Sequence, residues 1–112
     1  MKKYPRIAVK DGERDLIFLN TDEIIYCTSD GSYTHIFLIN NRNITVAKRL
    51  KVVLDLLGEE IFVRIHHSHV VNLMHVTKFQ REGDTQVHLS NGELLPVSKT
   101  KVTAFLQRFT KL

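Results

Sequence analysis

The sequence predicts a mainly β domain built of antiparallel sheets, with one internal helix and one C-terminal helix. Short segments rich in β-branched and aromatic residues recur about every ten residues, as consecutive strands do. Turn-forming pairs such as Asp11-Gly12 and Asn91-Gly92 stand between them. Strands joined by such tight turns pair antiparallel, because a parallel pair needs a long crossover connection. A length of 112 residues and a hydrophobic content of 43% suit one domain, residues 1–112, with a buried core.

The first half of the chain is predicted to form a β meander. Residues 6–9 and 16–19 flank Asp11-Gly12 and indicate a hairpin. Three further strands are predicted at residues 24–28, 33–39 and 44–46. The intervening segments, residues 29–32 and 40–43, are rich in Ser, Asp, Gly and Asn and are predicted turns. Residues 1–5 are predicted to form a short basic arm ahead of the first strand.

One segment has the periodicity of a helix rather than of a strand. Between residues 48 and 57 the apolar residues recur at i, i+3, i+4 and i+7, whereas Lys51 and Asp55 fall on another face. These apolar positions are Leu50, Val53, Leu54 and Leu57. The segment therefore predicts an amphipathic helix that ends at Gly58 as its C-cap.

The second half of the chain returns to strands. They are predicted at residues 61–65, 70–73, 76–79 and 85–89, and a hairpin around Asn91-Gly92 joins residues 87–90 to residues 93–97. Ser98 is a candidate N-cap for a final helix. The apolar face of that helix is formed by Val102, Phe105, Leu106 and Phe109.

Charge is distributed unevenly between the two halves. Residues 1–60 carry nine Lys and Arg against nine Asp and Glu, and residues 61–112 carry seven against three, so the net charge of +4 lies in the second half. A basic surface favours a polyanionic partner such as nucleic acid, although the same charge also serves solubility.

The sequence carries no signal for export or for a membrane. No apolar segment follows Lys2 and Lys3, and no apolar run approaches the roughly 18 residues that a spanning helix needs. Cys27 is the only cysteine, which rules out a disulfide within the chain and suits a reducing compartment. We therefore expect a cytoplasmic protein with no membrane partner.

The most informative segment is residues 62–72, in which a polar group stands between two short apolar runs. Its polar residues, His66, His67, Ser68 and His69, are predicted to form a loop that two buried strands hold in solvent. A metal site is not expected here, because adjacent His residues on a strand point to opposite faces and no paired Cys accompanies them. Cys27 lies in the apolar strand IIYCT, where buried inert thiols are common, so nucleophilic catalysis is not expected either. The sequence thus favours a protein that is not an enzyme and has no cofactor.

Residues 61–73 and 91–99 together resemble the signature of the LytTR DNA-binding domain. In that family the pattern is F-x-R-x-H-x-S-x-x-V-N, followed by a polar hairpin that ends in P-V-S-R or P-V-S-K. Here the first part reads FVRIHHSHVVN and the second ends in PVSK. Residues 24–34 resemble the early strand and turn of the family, so the resemblance covers about residues 5–110.

The resemblance implies about ten strands in three small antiparallel sheets, stacked in an elongated arrangement. It also implies that loops between strands bind double-stranded DNA in successive major grooves. Most members are the C-terminal output domain of a response regulator and follow a phosphorylatable receiver domain. We therefore expect sequence-specific binding to tandem or repeated half-sites, with dimers on DNA and a role in transcription regulation.

Carried over residue by residue, the resemblance assigns base reading to Tyr33, His67 and Lys99. It assigns support or phosphate contact to Arg64, His66, Ser68 and Ser98. Lys99 departs from the commoner Arg and lacks the planar fork with which Arg binds both acceptors of guanine. Lys48, Arg49 and Lys101 are additional phosphate candidates, which would fix register without reading sequence.

Several of these residues have a purely structural interpretation. Tyr33 suits the first position of a strand, His66 suits a partly buried hydrogen-bonding role that shapes the loop, and Ser98 suits an N-cap. Asn72 more readily locks a turn than contacts a base, and each surface Lys or Arg suits a solvated face. The alternative function is a protein-interaction domain whose basic face docks an acidic partner or a regulatory domain.

Overall fold

The computed structural model describes residues 6–112, so the predicted basic arm at residues 1–5 lies outside the described residues. Within them, ten strands form three antiparallel sheets and two α-helices accompany them, which confirms the predicted mainly β class. The described part of the chain measures 47 × 33 × 25 Å along its principal axes. The elongated shape is therefore confirmed as well.

The bounds of these elements follow the predicted order. The strands are β1 (Arg6–Asp11), β2 (Asp15–Asn20), β3 (Ile24–Asp30), β4 (Tyr33–Leu38), β5 (Arg42–Val46), β6 (Phe62–His66), β7 (His69–Asn72), β8 (Val76–Gln80), β9 (Gln86–Leu89) and β10 (Leu94–Pro96). The helices are α1 (Leu50–Leu57) and α2 (Val102–Leu106). The strand orders are β1-β2, β5-β4-β3-β7-β6 and β10-β9-β8.

The five-stranded sheet separates two hydrophobic clusters. Because successive side chains of a strand point to opposite faces, Cys27 and Tyr26 of β3 belong to different clusters. The first cluster joins the sheet to α1 and to the β1–β2 hairpin. The second joins it to α2 and to the three-stranded sheet, and the fully buried Val71 and Val87 belong to it. The sheet is therefore covered on both faces and is held rigidly from both sides.

Asn72 ties the end of β7 to the start of β3 from a fully buried position. Its Nδ2 donates to the carbonyl oxygens of Ile24 at 3.0 Å and Thr21 at 3.4 Å. Its Oδ1 accepts from the N–H of Met74 at 2.8 Å, at the N-cap of a short 3-10 turn, Leu73–His75. The expectation that Asn72 locks a turn is confirmed, and the same side chain also connects two strands.

The turns on either side of β4 are tighter than predicted. β3 continues to Asp30, which pairs with Tyr33, so only Gly31 and Ser32 form the turn. Gly31 has a φ of 58°, a left-handed conformation that glycine adopts without steric cost. On the other side, β5 begins at Arg42 rather than at residue 44, because Asn40 and Asn41 both take positive φ values, 61° and 58°. Asn tolerates this conformation better than most residues, so it closes the hairpin in fewer residues.

The internal helix begins two residues later than predicted, at Leu50. The hydroxyl of Thr34 donates to the carbonyl oxygen of Lys48 at 2.7 Å, and Arg49 is extended at φ −68° and ψ 154°. Lys48 and Arg49 therefore belong to the connection between β5 and α1. Gly58 ends the helix as predicted, with a φ of 88° and its N–H donating to Leu54 at 2.8 Å.

The C-terminal helix is shorter than predicted. A 3-10 turn, Lys99–Lys101, precedes α2, and Phe109 lies beyond the helix, where its ring meets that of Phe105 edge-on at 5.2 Å. Ser98 occupies the N-cap position of the 3-10 turn, but its side chain makes no capping hydrogen bond. The expected side-chain cap is wrong because the N–H of Lys101 already donates to the backbone carbonyl of Ser98 at 2.9 Å.

Replacement of Asn72 by alanine tests the buried clamp. The change leaves the carbonyl of Ile24 and the N–H of Met74 without their partner, so we expect N72A to lower the free energy of unfolding by about 2–4 kcal/mol. Urea denaturation followed by circular dichroism measures it. The exposed Asn43→Ala is the control and should cost under about 0.5 kcal/mol; equal losses in the two variants would contradict the clamp.

Candidate nucleic-acid interface

Two turns lie side by side at one end of the five-stranded sheet. β3 pairs antiparallel with both β4 and β7, so the last residue of β3 lies at the same end as the first residues of its two neighbours. The β3–β4 turn and the β6–β7 turn therefore meet there. The N–H of Ser29 donates to the carbonyl oxygen of Ser68 at 2.9 Å and joins them directly.

Two further segments extend this end of the sheet on either side. The N–H of Ser98 donates to the carbonyl oxygen of Ile65 at 2.9 Å, which brings residues 98–101 beside β6. On the opposite edge, the bond from Thr34 to the carbonyl of Lys48 holds residues 48–49 beside β4. We call the four segments together the loop end; its residues, in spatial order, are 48–49, 30–33, 66–69 and 98–101.

All ten residues that the sequence singled out lie at the loop end or bond to it. The three base-reading candidates, Tyr33, His67 and Lys99, are exposed, Tyr33 by 52%. The three additional cations, Lys48, Arg49 and Lys101, are exposed too. The four supporting candidates, Arg64, His66, Ser68 and Ser98, are half-buried.

The half-buried residues fix the shape of the β6–β7 turn. The guanidinium of Arg64 donates from Nε to the carbonyl of His66 at 3.3 Å and from Nη2 to the carbonyl of His67. The N–H of Ser68 donates to Nδ1 of His66 at 3.0 Å. His66 thus has the loop-shaping role that its half-burial suggested, and Arg64 acts beside it on the turn backbone. Between them, His67 is presented to solvent on a turn that is bonded on both sides.

A row of polar side chains crosses the sheet directly behind the turns, one from each strand. Strand register places Thr45, His35, Thr28, His69 and His66 side by side in this order, and we call them the polar ladder. The hydroxyl of Thr28 and Nδ1 of His69 are 3.1 Å apart, and the rings of His69 and His66 are 5.2 Å apart. Two residues further from the turns on β3 and β4, Tyr26 and Phe37 stack with their ring centres 4.4 Å apart, and the apolar core begins there.

Comparison with known proteins assigns the chain to one family. The family model of the LytTr DNA-binding domain matches residues 14–110, most of the chain. The chain belongs to the LytTR DNA-binding domain family. The resemblance noted in the sequence is thereby confirmed, and the family is one of DNA-binding domains rather than of enzymes.

Two relatives of this LytTR domain come from bacilli. The sensory transduction protein LytT of Bacillus subtilis (strain 168) is 27% identical over 97 residues, which are 85% of this chain and 39% of LytT. A solved structure described as the LytTr DNA-binding domain of a methyl-accepting/DNA response regulator from Bacillus cereus has a TM-score of 0.78 at 21% identity. That overlap covers 93% of this chain and 95% of the other, so the two share their fold.

Neither a metal-binding cluster nor an exposed thiol occurs among the described residues of this LytTR domain. Residues 6–112 contain no group of three or more His, Cys, Asp or Glu that could hold a metal ion. Cys27 is buried, and burial raises the pKa of its thiol to about 12, so the thiolate nucleophile does not form near neutral pH. In the same range, no helix has the length and apolar character needed to cross a bilayer.

Sequence reasoning missed a set of hydrogen-bonded side chains, Asp30, His35 and Thr45, beside Tyr33. Nε2 of His35 lies 2.9 Å from Oδ2 of Asp30, and Nδ1 of the same ring lies 2.7 Å from the hydroxyl of Thr45. Asp30 had been assigned only to turn chemistry. The sequence does hold a signal, because a strand that ended at Asp30 and a two-residue turn would have placed His35 diagonally across from it.

Because His69 belongs to the polar ladder, we predict that the free energy of unfolding falls at acidic pH. Burial lowers the pKa of His69 below its usual 6.5, and His66 lowers it further. Below about pH 6.5 the unfolded state therefore binds the proton first, and stability is lost as the pH falls. We expect the free energy of unfolding to decrease from about pH 7 to pH 5, and His69→Gln to weaken that decrease.

Urea titrations at several pH values measure this effect. The exposed Asn43→Ala, which removes no titratable group, is the control and should leave the pH dependence unchanged. A pH dependence that persists unaltered in His69→Gln would assign the acid sensitivity to other groups.

Proposed function

We propose that this domain binds double-stranded DNA sequence-specifically, with the loop end in the major groove, as the output domain of a transcription regulator. The observation that carries the proposal is the convergence of four segments, from four parts of the chain, at one exposed end of a rigid sheet. The major groove is about 12 Å wide and admits a β element. Two adjacent hairpin turns are separated by about two strand spacings, roughly 10 Å, so the end of this sheet suits that width.

The cations of the loop end support binding to phosphates. Lys48 and Arg49 lie on one side of the two turns, and Lys99 and Lys101 lie on the other, all exposed. This arrangement supports phosphate contacts on both sides of a duplex groove that the turns enter. Contacts of this kind fix register and make affinity fall with salt, because each neutralised phosphate releases counterions.

The side chains at the tips supply the chemistry for reading bases. Lys99 donates to acceptors such as O6 and N7 of guanine, and His67 donates or accepts according to its tautomer. Tyr33 offers a ring to a thymine methyl group and a hydroxyl to a phosphate. Arg64, His66 and Ser68 fix the backbone of the turn that carries His67, and the N–H of Ser98 anchors the segment that carries Lys99, which lowers the entropic cost of binding. Rigid presentation of a few exposed groups is what direct readout requires.

The wider context follows from the relatives. This chain spans 39% of the length of LytT, whose name describes sensory transduction. We accordingly propose an upstream receiver domain in the full-length protein, a two-component phosphorelay that controls it, and action in the cytoplasm. A single domain of this size makes a modest interface with DNA, so two copies on tandem half-sites are expected to bind together.

Selection from a pool of random duplex DNA tests the proposal. The enriched site is then titrated by fluorescence anisotropy at several salt concentrations. We expect a repeated motif that binds far more tightly than scrambled duplex and whose affinity falls steeply with salt. Weak and equal binding to every duplex would overturn the proposal, and it would favour an acidic protein partner for the basic face.

Substitutions at the tips separate base reading from general attraction. We expect Lys99→Ala and His67→Ala each to reduce the discrimination between the selected site and single-base variants by about 1–3 kcal/mol, because each side chain contacts one base pair. Arg42→Ala is the matched control, since Arg42 is exposed and lies opposite Leu38, at the end of β4 away from Tyr33 and the loop end. Equal loss of affinity on all sequences would contradict base reading by these two side chains.

Lys48 gives the complementary prediction for the phosphate contacts. Lys48→Ala is expected to weaken binding uniformly across sequences and to lower the slope of log K against log salt by about 1. Titrations at four or more salt concentrations measure that slope, again with Arg42→Ala as control. A change in base preference at one position, with an unaltered slope, would instead assign Lys48 to the reading of bases.

A further inference from the structure

The β3–β4 turn holds a carboxylate in an interface that is otherwise basic. Asp30 is the one acidic residue of the loop end, and 69% of its side-chain surface is exposed. Within residues 6–112 its ion-pair partner is His35, not a Lys or Arg that would neutralise it permanently. An exposed carboxylate near phosphates weakens binding to every sequence through like-charge repulsion. This repulsion is offset only where the carboxylate also makes a favourable contact with particular base pairs.

The position of this carboxylate is fixed by a chain of hydrogen bonds. In one consistent tautomer, Nε2–H of His35 donates to Oδ2 of Asp30 at 2.9 Å, and the hydroxyl of Thr45 donates to Nδ1 at 2.7 Å. His35 and Thr45 are opposite each other in register, and Asp30 pairs with Tyr33 at the start of the turn. The three side chains thus cross three neighbouring strands and aim one carboxylate at the same end as the exposed ring of Tyr33.

The bond from His35 leaves acceptor capacity on the carboxylate. An ionised carboxylate has two oxygens and about four acceptor sites, of which His35 occupies one. The remaining sites lie on an exposed side chain at the loop end. In the major groove of a duplex, the exocyclic amino groups of the bases can donate a hydrogen bond to this carboxylate.

We propose that Asp30 is a specificity-determining residue that accepts a hydrogen bond from N4 of cytosine, with His35 as its positioning residue. The inference rests on the proposed function. Two bases present an amino group in the major groove, cytosine at N4 and adenine at N6. Adenine places its N7 acceptor beside that amino group, where it repels a carboxylate, whereas cytosine does not. Guanine and thymine present acceptors at the corresponding position and are repelled as well.

The asparagine variant provides the sharpest test. Asp30→Asn replaces one acceptor oxygen by a donor, and the resulting amide matches the N6 and N7 pair of adenine. With all four base pairs tested at every position of the selected site, we expect the unaltered domain to prefer cytosine about 10-fold at one position. We expect Asp30→Asn to shift that one preference to adenine and to leave the other positions unchanged.

Matched variants separate this effect from charge and from folding. Asp22→Asn removes one exposed carboxylate next to the start of β3, at the opposite end of that strand from Asp30, and should leave every preference unchanged. His35→Ala should weaken the cytosine preference at the same position, and His35→Gln, which retains a donor, should restore part of it. Thermal melting of each variant accompanies the binding data. A purely structural role of His35 would lower the melting temperature without acting on one base position.

A chemical change in the DNA tests the inference without any change in the protein. Replacing the assigned cytosine by N4-methylcytosine keeps the amino hydrogen that pairs with guanine and removes the one that faces the major groove. We expect about a 10-fold loss of affinity for the unaltered domain and no added loss for Asp30→Asn.

The outcomes distinguish this inference from the proposed function. If selection enriches no site for the unaltered domain, the proposed function fails. If a site is enriched but Asp30→Asn raises affinity equally for all sequences, Asp30 acts only as a repulsive charge and the inference alone is overturned. Unchanged binding to N4-methylcytosine would overturn it as well, even where the variants fold poorly.

Discussion

The arrangement of this domain depends on the antiparallel pairing of β3 with both of its neighbours, β4 and β7. That pairing brings two turns, from residues 30–33 and residues 66–69, to the same end of one sheet. It also sets the faces of the sheet, because the alternation of side chains along β3 sends Cys27 to the side of α1 and Tyr26 to the side of α2 and the three-stranded sheet. Asn72 secures the opposite end of the same strand through the carbonyl of Ile24. A shift of this register by one residue would exchange the two faces and separate the turns.

The loop end combines a rigid base with exposed tips. Behind the tips, the polar ladder and the bonds from Arg64 satisfy the polar groups of the turns, and within the described residues no buried side-chain nitrogen or oxygen lacks a partner. In front of them, Tyr33, His67 and Lys99 remain free of the core and face solvent. This division explains how loops, usually the most variable part of a fold, can present side chains at fixed positions. Order is supplied by the strands, and chemistry by a few residues at their ends.

In the proposed function, electrostatics gives the loop end both attraction and selectivity. Cations on its two sides provide attraction to any duplex, which carries no information about sequence. The carboxylate of Asp30 is unfavourable near phosphates, and the structure holds it by a directed hydrogen bond with His35 rather than by a neutralising Lys or Arg. Groups of this kind contribute to specificity through the cost of a wrong partner, since a buried or desolvated polar atom without its hydrogen bond is penalised. The proposed reading of cytosine by Asp30 uses that cost.

The sequence by itself determined the elements and the family. Alternation and turn pairs predicted the strands, the spacing of Leu50, Val53, Leu54 and Leu57 predicted α1, and the motif at residues 61–73 predicted the loop that carries His67. These are local properties, recorded in the order of residues along one element. Only the tertiary structure decided which distant segments meet, as the hydrogen bond between Ser29 and Ser68 shows. It likewise decided which side chains pair, such as Asp30 with His35. It also decided where α1 begins, because the hydroxyl of Thr34 on β4 takes the carbonyl oxygen of Lys48. Periodicity reports whether a residue is buried, but the partner against which it is buried depends on the packing of the whole chain.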